Sequence, residues 1–349
     1  MYYFTRIFFT YLSFFSFYLY SNDHAPIVFI HIGNKIPAHA KYPIIQAQKF
    51  NPESEIYFLT SADALKDTSR DFKRIFSQSH VHHIDIDSLD KAPIHVEFDK
   101  VNRFNNFRNG FWSHTTERFF YLYEFIKEKN LENVIHLEND VMLYLNMDEI
   151  LPIFKKISTR IGIPMLAKNN AIPGFVYIKD DEALSNLLDD IVISLKKFAP
   201  RKRVSSCKMS EMFTIAYYHQ KYGESGLTPL PILMPEYALH NKRRVIPLHR
   251  FNHKDTTLDF LTQHWNDFDG YIFDAAALGI YFDGHDPRGN AEQGPGAIHW
   301  KSLFDPSIFE YEWLINEDGL RYPILKYLDK TYRIINLHIH SKGTHKFVS

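Results

Sequence analysis

The stretch that decides the fold is NVIHLENDVML, Asn133 to Leu143. An apolar run from Val134 to Leu137 delivers Glu138, Asn139 and Asp140, and apolar residues resume at Val141. A run this short and apolar reads as a buried strand, so two carboxylates one residue apart stand directly at its end. A buried carboxylate carries a large desolvation cost and paired ones repel, unless both face water or a cation. A divalent cation removes both problems, and Mg²⁺ and Mn²⁺ prefer carboxylate oxygens together with substrate phosphates.

Working outward, the preceding segment SHTTERFFYLYEFIKEKN repeats apolar residues at Phe119, Leu122, Tyr123 and Ile126, the spacing of a helix. Thr115 or Thr116 is expected to cap it, with Glu117 in the first turn. Before it stand IVFIHI, closing at Gly33, then the helical AKYPIIQAQKF. The strand EIYFLT, the helix ADALKDTSRDFKRIF and the strand VHHIDI follow. This alternation predicts an α/β chain with a mostly parallel sheet flanked by helices. Sheets of this kind place ligands beyond the carboxyl ends of their strands, where Glu138 and Asp140 stand. Beyond the triplet the chain continues with RIGIPM and GFVYIK, then helices near Asp181 to Phe198 and Lys208 to Tyr222. The region from Tyr237 to Asn266 reads as irregular. No linker or internal repeat interrupts this order, so residues 23–349 are expected to form a single large domain.

Composition agrees. The 349 residues are 45% hydrophobic and 23% charged, which suits a sizeable core. With 40 basic and 41 acidic residues the net charge is −1, so nothing global favours nucleic acid. Cys207 is the only cysteine, which excludes an intramolecular disulfide. The N-terminus differs: after Arg6, residues Ile7 to Tyr20 are apolar or aromatic. As a helix that run rises about 21 Å, short of the roughly 30 Å hydrocarbon core. Residues 1–22 therefore read as a signal peptide or a marginal membrane anchor, and membrane association or export is the expectation.

The acid-x-acid triplet at the end of the fourth strand resembles the DxD motif of glycosyltransferases with the GT-A fold, with Glu138 in place of the first Asp. The opening IVFIHIGNKIPAHAKYPIIQAQKFNPESEIYFLT resembles their first nucleotide-binding βαβ unit, a Rossmann-type arrangement. The resemblance covers roughly residues 27–179. It implies that Mn²⁺ or Mg²⁺ is held by Asp140 and Glu138 and in turn holds the diphosphate of a nucleotide-sugar. It implies donor contacts from Gly33, Arg118, Asn139 and Lys342. Several such families add a late histidine ligand with a lysine nearby on the leaving diphosphate, and INLHIHSKGTHKF offers both. Strand alternation there puts His338, His340 and Lys342 on one side. His340 is the favoured ligand, with His338 and His299 as rivals.

The expected activity is transfer of a sugar from a nucleotide-sugar to a hydroxyl on a glycan, lipid or protein acceptor. Inversion requires a carboxylate base, for which Asp274 in IFDAAALGIYFDGHDPR and Glu211 in SSCKMSEMFTIAYYH are the candidates. Each also fits the start of an ordinary helix. Trp300 could stack on a sugar face. Two other readings stand beside this one. A metal-dependent nucleotidyltransferase or phosphodiesterase also uses paired acids on an α/β sheet, but usually wants a glycine-rich phosphate loop. A carbohydrate-binding protein with a degenerate site fits the Glu138 departure.

Overall fold

The computed structural model describes residues 24–66, 69–102, 110–198, 210–241, 257–286, 294–299 and 301–349. The first strands are β1 (Ile27–Ile30), β2 (Ile56–Thr60), β3 (Val81–Asp85), β4 (Val134–Leu137) and β5 (Val141–Leu143). Next come β6 (Ile161–Ala167), β7 (Asn170–Ala171), β8 (Phe175–Ile178) and β9 (Thr228–Leu230). The last are β10 (Ile272–Phe273), β11 (Glu310–Ile315), β12 (Arg321–Tyr327) and β13 (Lys330–His338). They form a main sheet ordered β3-β2-β1-β4-β8-β6-β7, with β9 on β6. A second sheet is ordered β10-β13-β12-β11, with β5 on β13.

β1 pairs parallel with both β2 and β4, in register Phe29 to Phe58 and Phe29 to Leu137. The chain therefore runs outward through β2 and β3 and returns to the other side of β1. That reversal opens a crevice between the ends of β1 and β4. Every residue of IVFI and VIHL is buried, because helices cover both faces. Val28 and Ile30 join one apolar core while Ile27 and Phe29 join another, the two-residue alternation of a strand packed on both sides. The architecture is a single α/β domain with a mostly parallel, mixed sheet. Parallel pairing breaks at β8, which runs antiparallel to β4 and β6.

The long helix spans Phe111–Lys129 and starts a turn earlier than its sequence suggests. Gly110, at φ +86, is its cap, in a backbone conformation that favours glycine. The Thr116 hydroxyl instead donates back to the Trp112 carbonyl at 2.9 Å, as an interior helical threonine does, and Thr115 Oγ1 lies 3.2 Å from the same carbonyl. The segment after β2 makes two short helices, Ala62–Lys66 and Arg70–Ile75, rather than one.

The expectation of membrane association or export is corrected here. Among the described residues no helix is long and apolar enough to cross a membrane. The hydrophobic run that suggested it, with its boundary at residue 22, lies outside the described residues. Cys207 and Trp300 lie outside them too.

Candidate active site

The acidic triplet is the hinge between the two sheets. β4 ends in the main sheet, the Val141 amide donates to the Glu138 carbonyl at 3.0 Å, and β5 then pairs with β13. The Asn139 side-chain amide donates to the carbonyl of Ile30 at 3.0 Å, which ties the turn to the end of β1. That donor is therefore spent on the fold, while Asn139 Oδ1 is buried without a partner. Gly33 lies just beyond β1 with φ +155.

Two hundred positions on, the chain returns to the same place. His338 pairs with Val141, and the Ile339 amide donates to the Asp140 carbonyl at 2.8 Å. His338 Nε2 lies 3.1 Å from a Glu138 oxygen and 3.3 Å from an Asp140 oxygen. Ligand atoms of Glu138, Asp140 and His338 all fall within 4.8 Å of one another. Arg118 pairs with Glu138 and also donates to the Pro173 carbonyl at 3.3 Å, while Lys342 pairs with Asp140.

His338, not the favoured His340, occupies this group. The strand ends at His338, and the Lys342 amide then donates to the Ile339 carbonyl at 3.0 Å, closing a turn. Alternation stops there, so it does not govern His340. Instead, His340 Nδ1 accepts from the Asp286 amide at 3.3 Å. Lys342 reaches Asp140 from a left-handed backbone, φ +68, which is uncommon for a lysine. His299 is half-buried, and its Nδ1 accepts from the Lys301 amide at 3.1 Å.

Electrostatics follow from these contacts. Burial works against a charged His338, but Asp140 and Glu138 outweigh it and raise its pKa to about 10. Burial, then the neighbouring His338 and Lys342 charges, push His340 down to about 4. Burial would raise Glu138, yet Arg118 and His338 bring it to about 2. An imidazolium and two carboxylates thus share a site that a cation and a neutral imidazole would fill equally well.

The two base candidates separate. Asp274 accepts from the Leu278, Gly279 and His338 amides at 2.9, 2.8 and 3.0 Å. Its carboxylate pins the start of the helix Ala277–Asp283 to β13 and is committed to backbone donors. Glu211, the first residue of the helix Glu211–Tyr222, accepts the Thr115 hydroxyl at 2.8 Å and a hydrogen bond from its own backbone amide. Burial, partly offset by Arg118, lifts its pKa from 4.5 to about 7. A carboxyl raised in the folded state favours the protein while protonated, so stability falls as pH rises from about 4.5 to about 7. Glu211→Gln is therefore expected to add nothing near pH 4 and on the order of 2 kcal/mol at pH 8. Urea melts at the two pH values measure this, and a benefit confined to low pH would contradict the burial argument.

One contributor went unnoticed in the sequence. A side chain at Gly174 would put Cβ 2.6 Å from His338 Nδ1, so glycine there is what lets the imidazole lie against β8. Nothing local marks the glycine of PGFVYIK, because its partner is 164 positions away.

No family profile and no curated protein matches the chain. Solved structures do. Mouse xyloside xylosyltransferase 1 is 11% identical over 64% of this chain and 92% of its own, with a TM-score of 0.44. The galactosyltransferase LgtC is 16% identical over 66% of this chain and 84% of its own, with a TM-score of 0.35. A cytidylyltransferase from Leptospira borgpetersenii is 10% identical over 70% of this chain and 94% of its own, with a TM-score of 0.34. At these identities and scores the likenesses assign no residue a role.

Proposed function

We propose that the chain transfers a sugar from a nucleotide-sugar to an acceptor hydroxyl, with a divalent cation held by Glu138, Asp140 and His338. The observation that carries this reading is the meeting of those three donors at the crevice between β1 and β4, with Arg118 and Lys342 beside them. Two carboxylates and an imidazole suit a transition-metal cation such as Mn²⁺ better than Mg²⁺, and the buried imidazolium stands where such a cation is needed. When bound, the metal supplies Lewis-acid stabilisation of the diphosphate leaving group.

The chain's own residues do the rest. Arg118 and Lys342 provide positive charge fixed in place before the diphosphate arrives, which spares reorganisation as negative charge develops. Asn139 holds the triplet against β1, and Gly33 leaves room for close approach by the donor. Glu211, with a pKa near neutrality, suits acceptance of a proton from the acceptor hydroxyl if the reaction inverts. Asp274 serves instead to position His338.

Thermal-shift titration of nucleoside diphosphates with and without Mn²⁺ tests the reading. His338→Ala is expected to weaken the Mn²⁺-dependent binding by about tenfold or more, and His340→Ala to leave it within about twofold. The reverse ranking would return the ligand role to His340. Absence of any Mn²⁺-dependent stabilisation of the unaltered protein would remove the reading altogether. Incubation with nucleotide-sugars distinguishes the nucleotidyltransferase and phosphodiesterase reading, since sugar transfer leaves the phosphates on the nucleoside whereas attack at the nucleotidyl phosphorus releases a sugar phosphate.

A further inference from the structure

A second group of donors lies between the helix Pro93–Val101 and the helix Phe111–Lys129, and it shares no residue with the site above. His95 and Asp99, one turn apart on the first helix, meet Glu117 on the second. Their ligand atoms all lie within 4.8 Å of one another. His95 is fully buried, with its ring edge-on to Tyr121 at 4.8 Å and against Phe120 at 5.3 Å.

The two ring nitrogens of His95 are in unlike situations. Nδ1 lies 2.9 Å from a Glu124 oxygen, and the same oxygen accepts the Ala92 amide at 2.7 Å. A buried carboxylate on Nδ1 keeps the proton there and leaves a lone pair on Nε2. Nε2 has no hydrogen-bond partner, and the nearest Glu117 oxygen is 3.5 Å away. While His95 is neutral, a lone pair therefore faces a carboxylate oxygen across this gap, which is unfavourable unless positive charge lies between them. Access is from the Asp99 side, whose side chain is 44% exposed and pairs with Lys91 at 2.5 Å. His114 Nδ1 stands 3.5 Å from the other Glu117 oxygen.

We infer that His95, Asp99 and Glu117 bind a divalent transition-metal cation of the zinc class, with Glu124 holding the His95 tautomer. One imidazole and two carboxylates, with room for water or His114, match the donor types that Zn²⁺ takes, and the imidazole argues against Mg²⁺ or Ca²⁺. A carboxylate behind a ligating imidazole is the usual support for such a site. The ion would clamp the two helices one residue from Arg118, and so steady the side chain that pairs with Glu138. A proton on Nε2 would meet the same electrostatic need. Burial disfavours that imidazolium, Glu117 and Glu124 favour it, and the balance raises the His95 pKa.

Zn²⁺ titration of the chelator-treated full chain distinguishes metal from proton, with Co²⁺ as a spectroscopic probe. The Asp140→Asn variant is expected to retain about one Zn²⁺ per chain and, with Co²⁺, to show visible d–d bands. Adding Glu117→Gln should abolish both. Adding Glu124→Gln instead should weaken Zn²⁺ by about 10- to 100-fold, as loss of a supporting carboxylate does. Asp99→Asn changes a half-exposed side chain and is the variant least exposed to folding failure; it should weaken Zn²⁺ by about tenfold. Failure of Asp140→Asn to bind Zn²⁺ would overturn the inference in favour of a buried imidazolium. Unchanged affinity in Asp99→Asn or Glu117→Gln would overturn it as well.

Discussion

Asp140→Asn is expected to abolish cation-dependent binding of nucleoside diphosphates and to lower transfer activity by at least about 100-fold. The residue is 3% exposed, and its carboxylate is shared between the Lys342 ammonium and the His338 imidazole. Burial alone would raise its pKa, but Lys342 and His338 overcome burial and hold it well below the ordinary 3.8. Asparagine keeps the shape and removes the charge. That leaves Lys342 without its carboxylate and His338 sharing Glu138 with Arg118, so the variant should also lose stability. Breaking a buried ion pair costs roughly 3–5 kcal/mol. Lys342 is 27% exposed, so about 2–3 kcal/mol is expected here. The sign with pH follows from the depressed pKa. The contribution is complete above about pH 4, where the unfolded chain's Asp140 is ionised, and is lost as pH falls through the lower folded value. Thermal melts at pH 7 and pH 3 should therefore show a gap between the two proteins that narrows in acid. Full Mn²⁺-dependent stabilisation of the variant by a nucleoside diphosphate would defeat the metal assignment.

Gly279→Ala is expected to be the most damaging single-methyl change, costing about 3 kcal/mol or more. A Cβ there would lie 2.0 Å from the His338 carbonyl oxygen and 2.5 Å from its carbonyl carbon. Those are backbone atoms of β13, and the strand cannot retreat easily. Asp274 grips the His338 amide on one side and the Gly279 amide on the other, so relieving the clash breaks that clamp. Because His338 is the residue displaced, cation-dependent binding should weaken along with stability. Gly294→Ala is the control, since among the described residues a Cβ there meets nothing within 4 Å, and its effect should stay within about 0.5 kcal/mol. Melting temperatures for the two variants measured side by side decide the matter. Matching values would mean that β13 and the helix Ala277–Asp283 do not approach as described.

Much of this protein was legible in its residues taken in order. The runs IVFI, IYFL and VIHL are apolar, short and separated by helical spacing, and they became β1, β2 and β4 with little change. The helix Asp181–Phe198 was readable at both ends. Placement of Glu138 and Asp140 at the end of a buried strand was readable too, because burial of the strand and the desolvation cost of a carboxylate are local facts. Even the return of the C-terminal run to Asp140 could be anticipated, from the number of ligands and cations the chemistry demands.

Only the tertiary structure could choose between His338 and His340. Alternation orders side chains while a strand lasts, and the point where β13 yields to a turn is set by its pairing with β5 and by the left-handed Lys342. The same holds for Asp274 and Glu211. Both are acids at the start of a helix, and sequence treats them alike. Contact with three backbone amides makes one a clamp, whereas burial, only partly offset by Arg118 and the Thr115 hydroxyl, gives the other a neutral-range pKa. Gly174 and Gly279 owe their identity to an imidazole and a carbonyl 164 and 59 positions away, at distances no local pattern encodes. Secondary structure follows from periodicity along the chain, but the protonation, ligand geometry and steric limits of a site follow from which atoms the fold brings within a few ångströms.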